Sequence, residues 1–356
     1  MTDWRLIRSL VSAAIDSHDP ADGGAVGVSV ATMAGAEPFS YWEPESHAEP
    51  AFLAYSITKT FTATQILMLC DAGRLSLHDR LATWFPRVDR AEKISVHQLL
   101  NHTAGIPDYG GLRAYHDAVH STPSEPWSFG RFAAETFDRG LLFEPGTGWA
   151  YSNPGYMLLK RIVEDVDGRL YRDAIAERIT RPLGLHRTFV AESIADLAGL
   201  AAGTSRALGA GGAPCDVRMH YHPGWVSHGV IASTPSDIVR FLDALFRGRL
   251  LRPESLARMT ELVAVPVARN ASAPSAESRS PWVTPSYGLG LMADPDSRWG
   301  LVLGHNGGGP CYSASAFYAP GLGGASVCVM GAMEEHFSAE EIVVQVLDHL
   351  AGRDRV

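Results

Sequence analysis

Residues 56–71 read SITKTFTATQILMLCD, with Gly73 just beyond them. Phe61, Ile66, Leu67, Met68 and Leu69 fall on every side of a 3.6-residue period, which predicts a helix buried all round, stopped by the glycine. A helix of that kind forms the centre of a core. Its first turn also carries reactive groups, because a spacing of three puts Ser56 and Lys59 on one face at the electropositive N-terminal end. A lysine held in a buried site falls below its reference pKa of about 10.4, so a neutral Lys59 could take the Ser56 proton while nearby backbone N–H groups stabilise an oxyanion. The same spacing also suits an ordinary helix whose lysine reaches out to water.

Working outward, residues 4–17 alternate at helical spacing, Ala25–Met33 is small and β-branched between glycines, and Pro38–Glu43 suits the returning strand of a hairpin. From Leu75 to about His220 the signals are helical or loop-like, at His97–His102, Phe129–Phe137, Gly155–Val166 and Tyr171–Ile179. Thr234-Pro235-Ser236-Asp237 has a capping residue, a proline at the first helical position and an acid in the first turn, so a helix should run to Gly248. Ala271–Pro285, rich in Ser, Ala and Pro, reads as a surface loop. Four short β-like runs follow, Tyr287–Ala293, Gly300–His305, Ser313–Tyr318 and Ala325–Met330, then a last helix over Ala339–Leu350. Strands at both ends with helices between them predict an α+β fold. Its central antiparallel sheet would be built from 1–74 and 225–356, flanked by terminal helices, with a mostly helical domain of residues 75–224 inserted.

The composition narrows the function. With 46% hydrophobic and 19% charged residues in 356, the chain has material for a large core, and its net charge of −9 has the wrong sign for binding a phosphate backbone. Nucleic acid is therefore not an expected partner. No stretch approaches the roughly 20 apolar residues of a membrane span, and the opening MTDWRLIRSLVSAAIDSHDP lacks an uninterrupted apolar export signal, so a cytoplasmic location without a membrane partner is expected. Cys70, Cys215, Cys311 and Cys328 form no CxxC pair and read as free thiols. All but three of the 30 basic residues are arginine, the lysines being Lys59, Lys93 and Lys160. Arginine keeps its proton and lysine can lose it, so each lysine is a candidate for chemistry.

Two further segments qualify. Tyr151-Ser152-Asn153 follows Pro145-Gly146-Thr147 and opens a helical run, offering a phenol as proton shuttle and a carboxamide that can bond both a lysine and a substrate amide. A capping asparagine beside a packed tyrosine is the plainer reading. Gly304-His305-Asn306-Gly307-Gly308-Gly309 ends one strand and opens a turn, where glycines let a substrate lie against a strand edge; a tight hairpin would account for it equally. Tyr109, Trp225, His228, Asn306 and Gly307 are candidate substrate contacts, Tyr109 and Trp225 being as well explained by core packing. His220, His222 and His228 have no HExxH context, so no metal site is expected, and Gly-x-Ser-x-Gly is absent.

The three motifs, in this order and with an interval of 95 residues from Ser56 to Tyr151, resemble the serine β-lactamase and penicillin-binding-protein superfamily, in particular its class C β-lactamase and D-Ala-D-Ala carboxypeptidase group, which implies an active site in the cleft between the sheet domain and the inserted helical domain. The likeness extends through Gly73–Asp79, Leu99–Gly105, Pro182–Gly184 and Gly229–Thr234. The resemblance implies Ser56 as acylated nucleophile, Lys59 as its base, Tyr151 as proton shuttle, Asn153 as orienter, His305 in place of the usual lysine of the third motif, and the N–H groups of Ser56 and Gly308 as the oxyanion hole. It implies no cofactor and no metal. The expected activity is hydrolysis of a small ester or amide, or of a short peptide, through an acyl-enzyme, with weak β-lactamase action at most because a neutral histidine replaces a cation. An acyltransferase using the same intermediate and a catalytically silent binding protein are the alternatives.

Overall fold

The computed structural model describes residues 4–17, 24–32, 37–227, 229–266, 282–334 and 337–352. An eight-stranded antiparallel sheet runs in the order Phe39–Glu43, Val26–Ala31, Ala325–Ala332, Tyr312–Ala319, Gly300–Gly308, Met292–Ser297, Ser286–Tyr287 and Val263–Ala264. Its strands come from the two ends of the chain. They alternate by twos, as a sheet covered on both faces must: Val26, Val28, Val30, Val327 and Val329 pack with Ile7, Val11, Val343 and Leu347 of the terminal helices Arg5–Asp16 and Ala339–Leu350. On the other face Cys328, Met330, Ala314 and Ala316 join the larger core.

Helix Thr58–Asp71 is buried on nearly all sides, as its sequence requires, with Phe61 stacked on Phe241 of helix Pro235–Phe246 at 3.8 Å between ring centroids. Four buried threonines lie along it, and each hydroxyl is used. Thr58 Oγ1 accepts from the Ile231 N–H at 2.9 Å, Thr60 donates to Gly290 O at 2.8 Å, Thr62 meets the Tyr171 hydroxyl at 2.7 Å, and Thr64 returns to Thr60 O. These bonds satisfy groups that would each cost about 1–3 kcal/mol if left unpaired, and they fix the helix against three different segments.

Several boundaries differ from the sequence reading. Tyr287–Ala293 is not one strand: the chain turns between Ser286–Tyr287 and Met292–Ser297 because Gly290 takes φ +69° and passes so close to the central helix that a Cβ there would lie 2.7 Å from Lys59 O. The next strand continues past His305 to Gly308, and helix Pro235–Phe246 stops two residues before Gly248, which adopts φ +71°. Between 75 and 224 helices alternate with loops, yet Phe189–Ala191 is a strand and pairs with Val230–Ser233, itself paired to Phe52–Leu53. Met33 and most of Ala271–Pro285 lie outside the described residues. Among the described residues no helix is long and apolar enough to cross a membrane, and all four cysteines are free.

Candidate active site

Ser56 sits in a single 3₁₀ turn, Tyr55–Ile57, leading directly into helix Thr58–Asp71. Tyr55 just before it has φ +43°, a left-handed conformation rare for a bulky residue, so the turn is sharp and the half-buried serine projects from it. The Tyr55 phenol anchors the turn by donating to Pro310 O at 2.8 Å. Opposite, the strand Gly300–Gly308 closes in: a Cβ on Gly307 would lie 2.2 Å from Ala54 O and 3.1 Å from the Ser56 nitrogen, so only glycine fits. A Cβ on Gly308 would meet no atom within 4 Å, because that position faces open space. Strand pairing on the side of Met292 reaches only as far as Gly304, the Asn306 N–H donates to the Met292 sulfur at 3.5 Å, and the strand edge beyond, at Gly307 and Gly308, has no strand partner on that side among the described residues.

Three side chains converge on Ser56. Lys59 Nζ lies 3.2 Å from Ser56 Oγ and donates to Asn153 Oδ1 at 2.7 Å, while the Tyr151 hydroxyl donates to Ser56 Oγ at 2.8 Å. Lys59 is only 4% exposed. Burial pulls its pKa down to about 7, the Asp108 carboxylate opposing and Lys160 assisting. Burial pushes the Tyr151 phenol the other way, above its ordinary value, although its bond to Ser56 acts against that shift. Around neutrality the site therefore holds a lysine that readily loses its proton beside a phenol that keeps its own.

Helix Asn153–Asp167 places the other pair. Its N-cap is Ser152, whose hydroxyl accepts from the Gly155 N–H at 3.1 Å, so Asn153 is free of capping and turns its carboxamide to Lys59. Asp108 holds Asn153 from behind, accepting from its backbone N–H at 2.9 Å and, more weakly, from its carboxamide at 3.4 Å. Burial raises the Asp108 pKa, against the N–H bonds and the Lys59 charge that favour its ionised form. The sequence reading missed this carboxylate. It stands in Ile106-Pro107-Asp108, three residues beyond the segment Leu99–Gly105, and a lone acid after a proline in a loop is the only mark it leaves.

His102 was also missed. It is buried at φ +64°, accepts from the Ser152 N–H at Nδ1, and packs between the rings of Tyr151 and Tyr287 at 4.5 and 4.6 Å. It supports the phenol from beneath.

The remaining sequence candidates divide. His305 is adjacent but 2% exposed, its ring 6.3 Å from that of Tyr151. Its Nδ1 lies 2.6 Å from Asn306 O, which can only accept, so Nδ1 carries the proton and Nε2 accepts from the Tyr287 hydroxyl at 2.9 Å. Burial and the neighbouring Lys59 pull its pKa to about 3, so it is neutral, with both nitrogens committed inside the protein. Asn306 points to the other face of the sheet, where its amide donates to Glu340 at 2.9 Å: residues 305 and 307 share the site face, and 306 cannot. Tyr109 and Trp225 are not cleft residues. Both are buried with Tyr115 and Phe132, Tyr109 bonded to Ser227 and Trp225 donating to Pro123 O. His228 lies outside the described residues. Among the described residues no cluster of three metal-ligating side chains exists, and His222 Nδ1 is occupied by the Gly224 N–H.

The beta-lactamase family profile matches residues 9–348. The chain belongs to the beta-lactamase family. Penicillin-binding protein 4* of Bacillus subtilis is 29% identical over 283 residues, which cover 72% of this chain and 55% of that one; the chain thus spans little more than half the length of this curated relative. Two solved structures match over nearly their whole lengths. A D-stereospecific amidohydrolase from Streptomyces is 28% identical with a TM-score of 0.78, covering 96% of this chain and 97% of that one. The D-amino acid amidase of Ochrobactrum anthropi is 25% identical with a TM-score of 0.77, covering 98% of each.

Proposed function

We propose that the chain is a serine hydrolase that transfers the acyl group of a small amide or ester without a carboxylate to Ser56 and then to water. The observation that carries this reading is the convergence on Ser56 Oγ of a buried lysine pulled down to about 7 and a phenol pushed up. In the step it supports, neutral Lys59 takes the Ser56 proton as Oγ bonds to the substrate carbonyl carbon, and the carbonyl oxygen becomes an oxyanion facing the N–H groups of Ser56 and Gly308. Tyr151 gives its proton to the departing amine or alkoxide and regains one from the Lys59 ammonium. Asn153 holds Lys59 in place and can bond the substrate amide. A water then enters where the leaving group stood and, deprotonated through Tyr151 and Lys59, cleaves the acyl-enzyme.

The third motif argues for the substrate class. A dedicated β-lactamase or carboxypeptidase binds a carboxylate near this position, and here His305 is neutral with both nitrogens engaged. A substrate without that carboxylate fits better. The amidohydrolase and amidase relatives act on D-configured substrates by their names, and a D-amino-acid amide or the corresponding ester meets the same requirement. The test is turnover of D-phenylalanine amide, its L-enantiomer, the D-phenylalanine methyl ester and benzylpenicillin by the wild type and Ser56→Ala. Hydrolysis of the D-amide or D-ester, exceeding that of penicillin and lost in the variant, is expected. Turnover of penicillin above that of the carboxylate-free substrates would refute the substrate assignment, and turnover surviving in Ser56→Ala would refute the nucleophile.

A further inference from the structure

Lys160 is the second buried lysine, 6% exposed, two turns along the helix from Asn153. Its Nζ donates to Ser227 O at 3.1 Å and also to Gly229 O, two carbonyls two residues apart. An ammonium of this kind is costly to bury and, among the described residues, forms no ion pair; the Tyr171 ring, 5.2 Å away, gives it a cation–π contact.

The chain it grips serves the site from both ends. Ser227 has φ +51°, a conformation that needs support, and its hydroxyl donates to Asn153 O at 3.3 Å while its N–H donates to Tyr109. Gly229 leads into Val230–Ser233, where the Ile231 N–H donates to Thr58 Oγ1 and Ile231 O accepts from the Ala54 N–H at 2.8 Å, bracketing Ser56 in sequence. We infer that Lys160 is a positioning residue whose charge acts on the site: by clamping the carbonyls of Ser227 and Gly229 it locks the chain that seats Asn153 on one side and the Ser56 turn on the other, and the same grip holds its ammonium where it opposes a second positive charge on Lys59. The inference rests on the serine-hydrolase reading for its meaning in catalysis, but not for its effect on Lys59.

That effect gives the inference a readout that a scaffold role would not move. The Lys160 charge works against protonation of Lys59, with the Asp108 carboxylate acting in the opposite sense. Tyr151 and Tyr156 present their ring faces to the Lys59 ammonium, and His102 and His305 are kept neutral partly by it. Lys160 is itself drawn to about 7 by burial, against Glu192 and Glu164, which line a cavity of about 280 Å³ with it. Below that pH it is charged, and the charge keeps Lys59 closer to its neutral, basic form.

Only three lysines occur in the chain, so carbon-13 labelling at lysine Cε gives three assignable NMR titrations in the intact protein. Lys160→Gln keeps amide hydrogens for the two carbonyls and removes the charge, while Lys160→Arg keeps the charge. In Lys160→Gln the Lys59 midpoint should rise by about half a pH unit, and in Lys160→Arg it should stay near the wild-type value. The acid limb of Ser56 acylation by an activated ester should follow the same shift. An unmoved Lys59 midpoint in Lys160→Gln overturns the inference. Should one variant fail to fold, the other decides: an Arg variant in which the Lys59 midpoint rises, or a Gln variant in which it does not, each overturns it. A shifted midpoint in a protein whose Ser56 is never acylated would instead refute the hydrolase reading and leave the coupling standing.

Discussion

Two groups of polar and aromatic side chains, one around Ser56 and one around Trp225, use the same residue types for different ends. Around Ser56, the Tyr151 phenol and the Lys59 amine both converge on Oγ, and the Asn153 amide holds the lysine. Around Trp225, the rings of Tyr115, Trp127 and Phe132 close on each other, and the Tyr109 hydroxyl and the Trp225 indole N–H are both spent on neighbouring chain. In the first group burial changes what the groups can do. In the second it only decides how firmly they pack.

If that distinction is right, substitutions in the two groups must fail differently. Lys59→Arg keeps a positive charge but removes the group beside Ser56 that readily loses a proton near neutrality, so the acylation rate should drop by about a thousandfold with little change in stability, measured by single-turnover kinetics and denaturant unfolding. Trp225→Ala should do the reverse: a loss of about 3–5 kcal/mol in unfolding free energy, with kcat/KM of the folded fraction within about threefold of wild type. Asp108→Asn tests the border between them. It weakens the hold on Asn153 and removes a charge that favours protonated Lys59, so the rate should fall about tenfold at its plateau and the acid limb, centred near pH 7 in the wild type, should move to lower pH. This is opposite in sign to Lys160→Gln. The smallest effect on the rate belongs to Tyr109→Phe, which leaves the Ser227 N–H and hydroxyl each short of one partner and should cost about 1–3 kcal/mol of stability, read in urea, without moving the pH profile.

The same contrast explains what could be read in advance. The central helix was legible because its apolar residues recur on every side, and Ser56, Lys59, Tyr151 and Asn153 could be named because each belongs to an ordered motif whose spacing the structure converts into contact. Tyr109 and Trp225 were named for their chemical type, which does not say which way a ring points. Asn306 was placed with its motif, but the two-residue period of a strand sends it to the face opposite His305 and Gly307, where Glu340 receives it. Asp108, His102 and Lys160 escaped as site residues because each acts through a neighbour distant in sequence: Asp108 grips Asn153 across 45 residues and Lys160 reaches Ser227 across 67. Contacts of that length follow from tertiary folding, and no local pattern announces them.

The most direct test of the central claim is intact-protein mass spectrometry of the wild type and Ser56→Ala after brief exposure to an activated ester, quenched in acid. The account predicts one acyl mass on the wild type, formed faster as the pH rises through about 7, and none on the variant. An adduct of equal yield on Ser56→Ala, or a wild-type rate that does not change between pH 5 and pH 8, would contradict the assignment of Ser56 as nucleophile in the first case and of Lys59 as its base in the second.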